Sequence, residues 1–391
     1  MSQRFRTLSA LGAKTLTVAS LLALAAITPA YADIKIGFQV PLTGPAATDG
    51  KSAEIAGEMA AEDINAAGGV LGQKVKLDSV DDQAKSDQAI FTANKLIGED
   101  GVKLVVNASY SASGRAAAPV FQKAGVVMIS AYGVHPDITR AGDYMFRLVH
   151  LGPPQGAAAA LYIGKTLGLK KVCVITMDND YGQATVDGFI GAASKYGIKV
   201  LNKYSYSLKD RQFGSIVASV KHDDPTAIYA TGYFFTAGPL VAQLRAAGIT
   251  APIIGSQAFD SQKFVEIAGP AANGVYIIDS FDRDRKDEAL QKFTAEFKKR
   301  AGYAPEGVAA ITYSAVRLMA DAIKRANSAD PAKVRDALAA TKNYPTLEGD
   351  LVGFNKLHEI IMPIPVNVIK NGKFTPAGEI ADLNAFAPPE K

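Results

Sequence analysis

Asp33-Ile-Lys-Ile-Gly-Phe-Gln-Val40, Pro41-Leu-Thr-Gly44-Pro-Ala-Ala-Thr-Asp-Gly50-Lys51-Ser52, then Ala53-Glu-Ile-Ala-Gly-Glu-Met-Ala-Ala-Glu-Asp-Ile-Asn-Ala-Ala67 and Gly68-Gly69: this stretch decides the fold. Residues 33–40 are a short apolar-rich run ended by proline, which reads as a strand. Residues 53–67 set apolar side chains at helical spacing and stop at two glycines, which reads as a helix. Residues 44–52 read as the loop that joins them. Residues 74–80 then return to strand.

The same rhythm continues outward. Residues 87–99 read as helix, 102–106 as strand, 114–124 as helix and 126–129 as strand. After Gly152-Pro153-Pro154 it restarts, with helices at 157–167, 185–196, 213–221 and 237–247. Strands fall at 171–176, 199–206, 227–231, 252–255 and 275–279. Strict alternation of this kind implies parallel sheets covered by helices, the doubly wound layout. Two runs broken near residue 150 imply two similar lobes. Beyond residue 280, residues 287–301 and 308–326 read as helices and Pro331 opens a third, all expected to pack on one of the two sheets. The tail reads as strands at 363–370 and 373–376 with Asn371-Gly372 as a hairpin turn. A chain that leaves a lobe and returns crosses between lobes several times, which creates a hinge and a cleft where ligand sites lie.

The composition agrees and excludes several classes. The chain has 391 residues, 48% hydrophobic and 20% charged, a length suited to two domains with their own cores. It carries 42 basic against 38 acidic residues. Arg4, Arg6 and Lys14 account for most of the excess, so the rest is close to neutral and offers no face for nucleic acid. Those three residues, the apolar run 15–27 and Ala30-Tyr31-Ala32 form a secretory signal, expected to be cleaved after Ala32. The run is too short to span a membrane. Cys173 is the single cysteine, set mid-strand and expected to be buried. With four scattered histidines, His135, His150, His222 and His358, no metal set is expected.

Gly44 to Ser52 imitates a nucleotide P-loop, but five residues separate its glycines where the phosphate cradle needs four. No cofactor is expected. Asp81-Asp82 and the charged run 282–287 read as solvated loops. In the loop 107–115, Ser109, Ser111 and Ser113 are either helix N-caps or, with the free N–H groups of the next helix, a carboxylate site. The loop 130–136 is expected beside it. Tyr181 and Tyr233, the latter followed by Phe234-Phe235, sit between strand and helix in the second lobe. They read as walls of a cleft for an apolar ligand body, or as partly exposed packing residues.

Taken together, the sequence resembles the leucine/isoleucine/valine-binding family of periplasmic solute-binding proteins, with the type I periplasmic-binding fold. The resemblance rests on Pro41-Leu-Thr-Gly44-Pro45, Ala61-Glu-Asp-Ile-Asn65-Ala-Ala-Gly68-Gly69, Asp81-Asp82, Gly125-Val-Val-Met-Ile-Ser130 and Asp180-Tyr181-Gly182. It implies two doubly wound parallel-sheet lobes joined by a three-crossing hinge. Residues 33–150 with 280–360 are expected in one lobe, and 151–279 with 361–391 in the other. It implies a ligand clamped between lobes with no chemistry performed, docking on an ABC permease of the inner membrane, and a monomer in the periplasm. In the family the ligand carboxylate is held by a serine that falls on Ser111 and by a loop that falls on Tyr132, Gly133 and Val134. Tyrosines matching Tyr181 and Tyr233 close over it.

Two departures bear on the ligand. The family's amino-acid binders carry a threonine where Val134 stands, and a glutamate that meets the ligand ammonium where Gln257 stands. Tyr110 replaces a disulfide cysteine. A small organic carboxylate without an ammonium, aromatic by preference, is therefore expected, with Tyr110 among the walls. Asp49, Asp180 or Asp260 would restore an ammonium site, which keeps branched-chain and other hydrophobic amino acids as the alternative. An enzyme working in the cleft lacks a nucleophile–base pair; a sensor subunit handing its signal to a membrane receptor is a third class.

Overall fold

The computed structural model describes residues 33–381. The secretory signal expected at residues 1–32 lies outside the described residues. The first sheet is built from β1 (Ile34–Val40), β2 (Val75–Asp81), β3 (Leu104–Asn107), β4 (Val127–Ser130) and β5 (Met145–Arg147). All pair in parallel, in the order β2-β1-β3-β4-β5. Between them run α1 (Ala47–Ala66), α2 (Ser86–Gly98), α3 (Ser111–Lys123) and the single turn α4 (Asp137–Arg140). β3 and β4 are buried at every residue, as central strands covered on both faces must be.

The second lobe alternates α5 (Gly152–Leu161), β6 (Lys171–Met177), α6 (Asp180–Ala193), β7 (Lys199–Tyr206), α7 (Gly214–Asp223) and β8 (Ala227–Ala230). It continues with α8 (Phe234–Ala246), β9 (Ile253–Gly255), α9 (Gln262–Ala268) and β10 (Tyr276–Ile278). Then come α10 (Glu288–Ala301), α11 (Gly307–Ala326), α12 (Pro331–Ala339), β11 (Lys342–Pro345) and β12 (Asp350–Gly353), before the closing pair β13 (Ile364–Lys370) and β14 (Lys373–Ile380). The second sheet runs β14-β13-β10-β9-β8-β6-β7. It is parallel from β7 to β10, and β13 and β14 are antiparallel additions at one edge. Asn371 and Gly372 both take positive φ, 50° and 73°, the handedness a two-residue hairpin turn demands.

The fold is thus the type I periplasmic-binding arrangement, two α/β lobes with the chain passing between them three times: after β5, after β10 and after β12. The late helices sit on the first sheet. α10 and α11 pack on α1, α11 touches β3 and β4, and α12 touches β4. His150, from the first crossing, ties the other two: its Nδ1 lies 3.4 Å from Ser280 Oγ and its Nε2 3.0 Å from the Met362 carbonyl.

Several local expectations need correction. α1 starts at Ala47, so most of the P-loop-like stretch is helix. A Cβ on Gly50 would stand 2.0 Å from the Pro41 carbonyl oxygen, so this glycine serves close packing of the first turn. Lys51 pairs with Glu54 on the surface at 2.7 Å. Asp82 is not solvated. It is buried and accepts hydrogen bonds from Ser109 Oγ (3.0 Å), from Ser113 Oγ and from the Ala84 N–H (2.9 Å). In the run 282–287, Arg283 turns inward to Asp260 and Asp287 caps α10 at the Leu290 N–H. Cys173 is buried, 3.2 Å from an Asp223 oxygen.

Candidate functional site

The helices that face the cleft begin earlier than their apolar periodicity indicates. α3 starts at Ser111, α6 at Asp180 and α8 at Phe234. Tyr181 therefore lies in the first turn of α6, and Tyr233 is the residue that precedes α8, rather than either lying in a free loop. Strand ends followed at once by helix starts place these side chains, and unpaired helical N–H groups, at the carboxyl edges of both sheets.

A cavity between the lobes is lined by Asp49, Tyr110, Ser111, Tyr132, Gly307 and Val308 from the first lobe, and by Tyr181, Tyr233, Gln257, Ala258 and Asp260 from the second. The structure therefore gathers Ser111, Tyr110, Tyr132, Tyr181, Tyr233 and Gln257 around one space. Gly133 and Val134 do not line it. Val134 acts one step behind, donating its N–H to Ser111 Oγ at 3.0 Å. Ser111 is thus not the side-chain cap of its helix. With a lone pair taken by Val134, its own O–H is free to donate to a ligand oxygen. The Gly133 carbonyl accepts from Arg147.

The sequence carries no local signal for Arg147, a lone arginine at the end of β5. Its side chain has 0% exposure and bonds the carbonyls of Gly133 and His135, while its Nε meets Glu359 at 2.7 Å. Glu359 also accepts from Thr139. This buried pair moors the loop carrying Tyr132, Gly133 and Val134.

The walls are aromatic. Tyr110 and Tyr233 stack across the cleft, Tyr181 stacks on Tyr233 with centroids 5.2 Å apart, and Tyr132 meets Tyr110 edge-on at 6.3 Å. Burial raises the phenols of Tyr110, Tyr132 and Tyr233 well above their ordinary value, so all three are neutral. Tyr181 Oη accepts the Ala258 N–H at 3.1 Å.

The acids differ in their partners. Asp180 is outside the cavity and pairs with Arg115 at 2.8 Å, a link between α3 and α6 on the surface. Asp260 is fully engaged, by Arg283 on one oxygen and by the Gly307 N–H, at the start of α11, on the other at 2.9 Å. Asp49 is different. Its Oδ2 accepts from Tyr110 Oη at 2.7 Å, while its buried Oδ1 has no partner. Burial raises its carboxyl from 3.8 to about 7, with Tyr110 opposing and Asp260 adding to the rise. Glu306, just before α11, is likewise raised to about 8 by burial, with Asp49 and Asp260 contributing. Among the described residues no group of histidine, cysteine and acids is arranged to hold a metal, and no helix is long and apolar enough to cross a membrane.

Comparison with known proteins agrees with this architecture. The sequence profile described as periplasmic binding protein matches residues 33–373. An amino acid binding protein of Pseudomonas aeruginosa is 32% identical over 335 residues, 85% of this chain and 88% of that protein. Leu/Ile/Val-binding protein homolog 3 of Brucella melitensis is 32% identical over 324 residues, 82% and 87% of the two chains. The crystal structure of a leucine binding protein, LivK, from Thermotoga maritima superposes with a TM-score of 0.84 at 26% identity, covering 90% of this chain and 99% of that one. The chain belongs to the leucine/isoleucine/valine-binding family of periplasmic solute-binding proteins, the ligand-capturing subunits of ABC importers and not enzymes.

Proposed function

We propose that this protein captures an α-amino acid with an apolar body between its lobes and delivers it to an ABC permease. The observation that carries this reading is the free Oδ1 of Asp49, in the same cavity as the Ser111 hydroxyl and the N-terminus of α3. A buried carboxylate oxygen without a partner is costly, and a ligand ammonium relieves it. Ser111 and the helical N–H groups take the ligand carboxylate. Asp49 supplies the negative charge that Gln257 lacks, so the absence of a glutamate at that position does not exclude an ammonium. The tyrosines cover the apolar body. Relatives named for amino acids support the same class.

An aromatic acid without an ammonium is the second reading. It is favoured by the stacked tyrosines and by the raised carboxyl of Asp49, which when protonated donates to an anion. Export through residues 1–32 and action as a monomer belong to the same proposal. Parallel calorimetric titrations with leucine, phenylalanine and 4-hydroxybenzoate at pH 7.5 test it. Binding of 4-hydroxybenzoate with no heat from either amino acid overturns the first reading in favour of the second.

A further inference from the structure

Gln257 lines the cavity, and a neutral amide there can present either an oxygen or an NH2 to the ligand. The side chains behind it decide which. Gln155, on α5 and 1% exposed, donates from Nε2 to the His150 carbonyl at 2.7 Å. A carbonyl oxygen only accepts, so this contact fixes which end of Gln155 is nitrogen. The second hydrogen of the same nitrogen points to Gln257 Oε1 at 3.1 Å. That bond in turn orients Gln257: its oxygen is turned toward Gln155, where it accepts one hydrogen bond, and its Nε2 is the opposite end of the amide. Its Nε2 has no acceptor among the described residues, and the residue lines the cavity. The origin of the relay is rigid, because the His150 ring is bound to the second and third crossings of the hinge.

We infer that Gln257 is a fixed hydrogen-bond donor to the ligand, and that its polarity, set by Gln155 as a positioning residue, determines specificity by requiring a ligand oxygen on the second lobe. The inference rests on the reading of this cavity as the ligand site, but not on the ligand carrying an ammonium. The donor end of an amide repels an ammonium, so Gln257 plays the opposite part to a glutamate. The ligand's cationic group is left to Asp49, and its carboxylate or another carbonyl or hydroxyl oxygen faces Gln257. A site with a buried donor discriminates strongly against an analogue that leaves the donor unpaired.

The test is the sign of one substitution. Leucine and 4-hydroxybenzoate are titrated into the wild-type protein, Gln257→Glu and Gln257→Met. For whichever probe binds the wild type, both substitutions are expected to weaken binding by about 10- to 100-fold, Gln257→Glu at least as much as Gln257→Met. Tighter leucine binding by Gln257→Glu overturns the inference, since it means that position 257 meets the ammonium, and leaves the amino-acid reading standing. If only 4-hydroxybenzoate binds, the amino-acid reading fails and the same comparison still judges Gln257. If neither probe binds, amide NMR of the ligand-free protein decides, with resonances assigned through Gln155→Met and Gln257→Met. Slow exchange of the Gln155 side-chain hydrogens with fast exchange at Gln257 supports the relay; the reverse order overturns it.

Discussion

The rings of Tyr110 and Tyr233 stack across the cleft, with centroids 3.9 Å apart and planes inclined by 13°. One ring belongs to the first lobe and the other to the second, so the contact exists only when the lobes are together. Such a pair contributes about 0.5–1.5 kcal/mol beyond its buried area. The Arg115–Asp180 link beside it is exposed and adds less than about 1 kcal/mol. Turning a mostly open population into a mostly closed one takes about 5.5 kcal/mol. These two contacts alone fall short of that, and ligand contacts on both sides supply the remainder.

Tyr233→Leu removes the second lobe's half of the stack. The ligand-free protein is expected to shift toward the open form by up to about tenfold in population. Small-angle scattering should show a larger radius of gyration than in the wild type. An unchanged scattering profile would mean that the stack contributes nothing to closure.

The pH dependence of binding separates the two ligand classes. Asp49 titrates near 7 in the empty site, and only its ionised form pairs with an ammonium. Below that pH an amino acid has to expel a proton from Asp49, so its affinity is expected to rise with pH, by at most about tenfold per unit, and to level off above 7. Asp49→Asn should bind leucine about 10- to 100-fold more weakly and without this slope. An aromatic acid gives the opposite trend, since protonated Asp49 welcomes the anion. Calorimetry between pH 5.5 and 8 reads the sign directly.

Stability carries a matching signature. The carboxyls of Asp49 and Glu306 are raised on folding, from 3.8 to about 7 and from 4.5 to about 8. The folded chain therefore holds protons that the unfolded chain has already released. Stability from these two groups is full below about pH 4 and is lost progressively as pH rises toward 8. His150 works the other way, its value lowered to about 4 by burial, so falling pH costs stability between 6.5 and 4. Comparing Asp49→Asn with the wild type cancels that term. The substitution is expected to stabilise the protein by a few kcal/mol at pH 8 and by little at pH 4.5. Parallel melting curves across this range for the two proteins would contradict the burial of an unpaired carboxylate.

Ser111→Ala removes the hydroxyl that meets the ligand and also the acceptor of the Val134 N–H. Affinity for a carboxylate ligand is expected to fall by about 10- to 150-fold, and stability by about 1–3 kcal/mol because the Val134 N–H is left buried without a partner. Calorimetry and urea denaturation measure the two effects separately. A loss of stability with affinity intact would make Ser111 a loop fastener only.

The alternating strands and helices, the two lobes and the crossings between them were legible in the chain order, because hydrophobic period and glycine or proline stops are local properties. The serine and tyrosine positions of the cavity were legible as well, since side chains at the carboxyl ends of parallel strands have few other places to go. The helix starts at Ala47, Ser111, Asp180 and Phe234 were read too late, because first turns facing a cleft carry glycine, serine and aromatics in place of an apolar stripe. Asp82 read as solvent-exposed because its partners, Ser109 and Ser113, come from another loop. Asp49, Asp180 and Asp260 were indistinguishable by sequence. Tertiary structure alone separates them: Arg115 of the first lobe pairs with Asp180, Arg283 and Gly307 occupy Asp260, and one oxygen of Asp49 is left bare in the cavity. The same holds for Arg147 and for the Gln155–Gln257 relay. The charge and polarity of a buried group are set by what long-range folding brings within about 3 Å of it, and local sequence does not encode those neighbours.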